Sequence, residues 1–250
     1  MGIVGRHRTG DAPRRIELQS LTAALDELDL FEAIARRRRA VRGFLPHRAD
    51  RALIERVVAI ATTTPSSCNT QPWTLHIASG APLDRLRVTL TDAVASGTAP
   101  DYEVTAAARY EGQFRERQID AAIRLFDTQG VDRHDKAARS ASMLQNFSFF
   151  GAPHAAFLFM PADGGVREAA DCSKFAQTFM LALAAAGLGS CPQASLSGYP
   201  SIIRKTLKIE DEPGKLLLGI SFGYPDEQDP TAQARPPRAA PGDVARFHTD

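Results

Sequence analysis

The residues best equipped for chemistry stand in three short stretches. The first is Arg36-Arg37-Arg38-Arg39-Ala40-Val41-Arg42-Gly43-Phe44. Guanidinium forks bind phosphate in bidentate fashion, so an anion is the natural partner of such a run. On consecutive helical positions the four arginines from Arg36 to Arg39 would point around the whole circumference, and some must face inward or toward a ligand. Two readings stand level here: a phosphate site, or a solvated basic helix end favoured by the C-terminal dipole. Nucleic acid is a third, weakened by Asp26, Glu27, Asp29 and Glu32 just upstream.

The second stretch, Thr64-Pro65-Ser66-Ser67-Cys68-Asn69-Thr70-Gln71-Pro72-Trp73, ends in the only tryptophan. Its short hydroxyl and amide side chains and its backbone amides suit a polar heterocycle or a phosphate. An Asx or Ser/Thr turn with a core tryptophan explains it as well. The third, Gly187-Leu-Gly-Ser-Cys191-Pro192-Gln193-Ala194-Ser195, reads as a glycine helix stop followed by a proline-directed extended loop. Other signatures do not occur. Neither G-x-G-x-x-G after a strand nor G-x-x-x-x-G-K-[ST] is present, and there is no G-x-S-x-G elbow. The histidines His7, His47, His76, His134, His154 and His248 stand singly, without partners at ligand spacing, so no metal site is expected.

The elements that must position these stretches follow from periodicity. Leu21, Leu25, Leu28, Phe31 and Ile34 recur at helical spacing up to Arg39, with Asp29 a candidate cap before a second helix. Asp50 caps a further helix that Pro65 stops, and Thr74–Ala78 reads as a strand before a helix over Pro82–Ala95. Gly97 to Tyr110 is irregular, and residues 110–150 form two helical pieces broken near Gly130. Ala155–Met160 and Leu216–Phe222 read as strands, the second buried on both faces, and residues 167–187 as the core helix. Tyr199–Leu207 is a short helix. The expectation is an α+β domain over residues 21–224, a flexible leader over 1–20, and an extended tail over 225–250 that carries five prolines.

Composition sets the outer bounds. The chain has 250 residues, 44% of them hydrophobic, and 30 Lys+Arg against 29 Asp+Glu. A net charge of +1 argues against a domain devoted to nucleic acid or to an anionic membrane surface. No apolar run reaches the roughly 18–20 residues that span a bilayer, and no secretory signal is read at the N-terminus. Cys68, Cys172 and Cys191 are too few and too far apart for a disulfide framework, which fits a reducing, cytoplasmic location.

The order R-R-x-V-R-x-F, then P-S-x-x-N-x-Q-P-W, then a buried helix ending G-L-x-x-C-P-Q, then an arginine in a proline-rich tail, is far more specific than any of its parts. It resembles the nitroreductase family of FMN-dependent flavoproteins. Within it, Cys191-Pro-Gln-Ala194, Leu207-Lys-Ile and Gly219-Ile-Ser-Phe-Gly223-Tyr-Pro-Asp226 look most like the branch of nitrobenzoate-type reductases.

The resemblance implies an α+β nitroreductase-like fold, a mostly antiparallel sheet flanked by helices, in an intertwined homodimer whose two flavins are each touched by both chains. It places Arg38 and Arg39 at the FMN phosphate and ribityl chain, and Arg42 at the N1/C2=O edge, where a cation stabilises the charge that reduction leaves. Ala40 stands where the family commonly has serine. Pro65, Ser66, Ser67 and Asn69 match the loop against the flavin, with Asn69 and Gln71 hydrogen-bonding its polar groups. Pro192, Gln193, Ala194 and Ser195 match the segment behind the ring, where a backbone N–H faces N5, and Ala194 stands where many members have glutamate. Arg235 matches a phosphate-binding arginine, with Arg238 a close rival. The implied chemistry is ping-pong hydride transfer from NADPH or NADH to a small planar aromatic acceptor, with no catalytic acid or base. Tyr102, Tyr110, Phe114 and Phe147 are the aromatics suited to contact that acceptor. Enone or quinone reduction, dehalogenation, or a flavin-free binding protein are the alternatives.

Overall fold

Two mainly apolar runs, Ala155–Met160 and Leu216–Phe222, form the centre of a sheet. In a computed structural model, which describes residues 18–104 and 109–249, four strands run in the order β1-β2-β4-β3: β1 Thr74–Ser79, β2 His154–Met160, β3 Gly189–Gln193 and β4 Lys215–Gly223. All three pairings are antiparallel. Along β2, Ala156, Leu158 and Met160 face one side and Ala155, Phe157 and Phe159 the other, and both sets are buried. Such a strand has no solvent face, which is why its sequence is a continuous apolar run. A register shift between Leu158 and Phe159 lets Leu216 of β4 join the second side while Ile220 and Phe222 face the first.

Helices cover both faces. α2 (Arg51–Ala61) and α6 (Val166–Ala185) cover the first, with Phe175, Phe179 and Leu183 of α6 driven into it. α3 (Ala81–Ala95) and α7 (Pro200–Leu207) cover the second through Leu83, Leu86, Leu90 and Ile203. Each fully buried Phe or Leu contributes about 1.5–3 kcal/mol of transfer free energy, so this two-faced core carries the fold. α4 (Gly112–Thr128) and α5 (Lys136–Leu144) form a hairpin in which α4 has no buried residue. No described helix is long and apolar enough to cross a membrane.

Four expectations are corrected. α1 runs unbroken from Leu18 to Arg37, so Asp29 caps nothing, and the helix begins within the stretch read as leader. Among the described residues, α1 forms a unit of its own. The extended loop expected after Gly187 is strand β3, hidden by its glycine and proline and by its length of 5 residues. The tail is not wholly extended: Pro230–Gln233 is a single helical turn and α8 spans Pro241–Val244. The irregular segment expected over Gly97–Tyr110 falls partly on residues 105–108, outside the described residues.

Candidate functional site

Helix α1 stops at Arg37, and the arginine run continues as extended chain rather than around a helix. Ala40 forms a parallel bridge with Ser190 of β3, and the Val41 N–H donates to the Ser190 carbonyl at 3.0 Å. Alternation then sorts the side chains. Arg39, Val41 and Gly43 point to the buried side, while Arg38, Ala40 and Arg42 share the half-exposed face. The two arginines expected side by side on one phosphate are therefore turned apart. Arg39 Nη2 lies 2.7 Å from Glu227 Oε2 and is partnered. Arg38 has no carboxylate within ion-pair reach among the described residues. Burial, and then the nearby Arg238 guanidinium, push Arg38 below its ordinary range. A half-buried guanidinium that feels like charge and has no carboxylate partner is an incomplete arrangement that an anion completes. Of the two rivals in the tail, both exposed, Arg238 is the one whose charge bears on Arg38.

β3 delivers the second group. Pro192 and Ala194 are exposed, whereas Gln193 is buried. Its amide nitrogen donates to the Asn146 carbonyl at 2.7 Å and its amide oxygen accepts from the Ser221 hydroxyl, so the side chain ties β3 to its neighbours and leaves the backbone to face a ligand. Ser195 differs: its Oγ is buried without a hydrogen-bond partner. An orphaned hydroxyl costs roughly 1–3 kcal/mol, a penalty that a polar ligand relieves. The unpaired Arg38 guanidinium and this hydroxyl are the features that a phosphorylated, polar cofactor such as FMN would satisfy.

The third group is the loop ahead of β1. Cys68, Asn69 and Gln71 all hold positive φ, at 50°, 58° and 48°. L residues rarely adopt this, and such clusters persist only where the surroundings impose them. Here α6 imposes them. Asp171 accepts the Ser67 N–H at 2.9 Å, Thr64 Oγ1 donates to Thr178 at 2.9 Å, and Trp73 stacks on Phe175 at 5.0 Å. Lys174, 2.6 Å away, and then the Ser67 amide hold the Asp171 carboxyl below the usual range. The Ser66 hydroxyl accepts the Gln71 N–H at 2.9 Å. The result is a rigid loop that leaves Pro65, Asn69 and Gln71 exposed. It leads into β1, at the opposite sheet edge from β3, with β2 and β4 between them.

The aromatics separate. Tyr102, Tyr110 and Phe114 are exposed, and Tyr110 and Phe114 line a shallow hollow at the start of α4. Phe147 is withdrawn into the core, edge-on to Tyr199 at 5.4 Å, so it offers no face to an acceptor. Phe150, which is not among the expected site residues, has its ring under Arg42, with the guanidinium carbon 5.8 Å from its centroid. Arg42 and Phe150 open onto a cavity of about 670 Å³ between the α4–α5 hairpin and residues 226–231. The described residues contain no cluster of three His, Cys, Asp or Glu placed to hold a metal ion.

The comparisons bear on this geometry. The sequence profile of the nitroreductase family matches residues 35–224. Nitroreductase NfnB of Mycolicibacterium smegmatis is 38% identical over 223 residues, 89% of this chain and 94% of that protein. A 4-nitrobenzoate reductase of Pseudomonas putida is 34% identical, across 84% of this chain and 92% of that protein. The crystal structure of the FMN-dependent nitroreductase NfnB from Mycobacterium smegmatis in complex with NADPH superimposes with a TM-score of 0.85 at 37% identity, covering 89% of this chain and all of that one.

Proposed function

This chain belongs to the nitroreductase family, and from that premise we propose that it is an FMN-dependent oxidoreductase that uses NADPH or NADH to reduce nitroaromatic or similar planar, electron-poor acceptors. The observation that carries the reading is Arg38, a half-buried guanidinium without a carboxylate partner among the described residues, on the face that also bears Arg42. The relatives support it: one is named a 4-nitrobenzoate reductase, and another is FMN-dependent and was crystallised with NADPH.

Arg38 and Arg238 would hold the FMN phosphate, and Ser195 with the backbone of Pro192–Ala194 would take the ring from the β3 side. When bound, the flavin supplies the atom that accepts hydride from the nicotinamide and passes it on. Arg42 would place a fixed cation beside the pyrimidine edge, where reduction builds negative charge. The chain need not supply a nucleophile. Burial pushes the Cys191 thiol up to about 11 and the Cys172 thiol to about 11, so neither is a thiolate near neutrality.

The reading includes a homodimer in which the rigid 65–71 loop of one copy meets the arginine face of the other. What supports this is the placement of the two groups at opposite sheet edges. A cytoplasmic location accords with three unpaired thiols, one of them, Cys68, exposed. Arg38→Ala tests the phosphate assignment. The variant is expected to purify with little flavin and to bind added FMN about 10- to 100-fold more weakly. Full flavin occupancy would overturn the assignment.

A further inference from the structure

The turn Gln145–Ala152, between α5 and β2, holds two consecutive non-glycine residues in the left-handed region, Phe149 at φ 58° and Phe150 at φ 54°. Its surroundings fix this conformation from three elements. The Phe150 N–H donates to the Gln145 carbonyl at 2.9 Å. Gln193 of β3 donates to the Asn146 carbonyl at 2.7 Å. Arg87 of α3, itself oriented by Asp84 at 2.8 Å, donates to the Ser148 carbonyl at 3.0 Å and to the Ala152 carbonyl at 2.9 Å. Strain held this firmly places one side chain: the buried Phe150 ring, with the Arg42 guanidinium over its face.

Arg42 has no carboxylate within ion-pair reach among the described residues. The choice of partner matters physically. A carboxylate would orient the guanidinium but cancel its field. An aromatic face attracts the cation and leaves the charge undiminished.

We propose that Phe150 is a positioning residue for Arg42: its ring fixes the guanidinium with its full charge available, and so helps to set both the affinity for FMN and the reduction potential of the bound flavin. The inference rests on the reading that Arg42 faces the flavin.

The test compares FMN-loaded Arg42→Ala, Phe150→Leu, Phe150→Tyr and the Arg42→Ala/Phe150→Leu double variant by FMN dissociation constant and flavin midpoint potential. Arg42→Ala is expected to lower the potential and weaken FMN binding. Phe150→Leu, which keeps bulk but removes the ring face, should move both in the same direction, with FMN bound about three- to tenfold more weakly. Phe150→Tyr should match the wild type, and the double variant should match Arg42→Ala alone. Should Phe150→Leu not yield folded protein, Arg87→Met, which releases the turn without touching either residue, is expected to shift the potential the same way. A lowered potential in Arg42→Ala together with a wild-type potential in Phe150→Leu overturns the role of Phe150 alone. An unchanged potential in Arg42→Ala overturns the role of Arg42 and the proposal with it.

Discussion

At the scale of single residues, the fate of each charge is decided by which side of an extended segment it leaves. Arg38 and Arg39 are adjacent and identical, yet Arg39 pairs with Glu227 and Arg38 has no carboxylate partner among the described residues. Arg39→Ala should therefore cost FMN affinity less than Arg38→Ala, a difference that titration of the two apoproteins with FMN measures directly. His154 gives a second prediction. It is buried, accepts the Ala49 N–H at Nε2 (2.9 Å), and its Nδ1 lies 2.5 Å from the Ser79 hydroxyl, so the neutral ring with the proton on Nδ1 is the fitting form. Burial, and then Arg48, hold its pKa below the ordinary value of 6.5. With the folded value depressed, the contribution is complete above pH 6.5 and is lost as pH falls, because the unfolded chain takes up a proton that the folded one refuses. Denaturation at pH 7.5 and 5.5 should show a loss of up to about 1.4 kcal/mol per pH unit that His154→Gln lacks. An equal pH slope in both proteins would refute it. Residue type marked only the arginine run and the family resemblance singled out Arg38, Arg39 and Arg42, but neither could separate Arg38 from Arg39, because that needs the backbone to be known as extended.

At the scale of elements, the amphipathic helices and the two central strands were legible, the helices from a local period and the strands from apolar runs buried on both faces. What escaped was β3. Gly-Ser-Cys-Pro-Gln has no strand period, and its extended form comes from pairing with β4 and from the Ala40–Ser190 bridge. That bridge makes Gly189 sensitive. A Cβ there would lie 2.7 Å from Val41 Cγ2, so Gly189→Ala must push the arginine segment off the sheet. The expected outcome is loss of FMN binding out of proportion to a stability cost of about 1–3 kcal/mol. Wild-type FMN affinity in a folded Gly189→Ala variant would show that the segment does not depend on β3. The strained 65–71 loop was read as polar turn chemistry, and its positive φ values were invisible in sequence because no glycine marks them.

At the scale of the whole molecule, the order of motifs along the chain indicated a family that no single motif could, and the superposition at a TM-score of 0.85 agrees with it. The assembly is less legible, because an interface is written in surfaces that one chain leaves bare. α4 bears Phe114, Ile119 and Ile123 in the open and buries nothing, and the two halves of the candidate site lie at opposite sheet edges. Sedimentation should accordingly give twice the 27.1 kDa chain mass, and charged substitutions at Ile119 and Ile123 should reduce both the mass and the flavin content together. A monomer with full flavin would refute the shared site. The central claim, that this chain is a flavin-dependent, nicotinamide-driven reductase, is tested most directly by the visible spectrum of the protein reconstituted with FMN, recorded anaerobically before and after NADPH or NADH. Bound flavin that bleaches on addition of a nicotinamide and recovers with a nitroaromatic acceptor is the predicted result. A protein that binds no FMN, or whose bound flavin neither nicotinamide reduces, would contradict it.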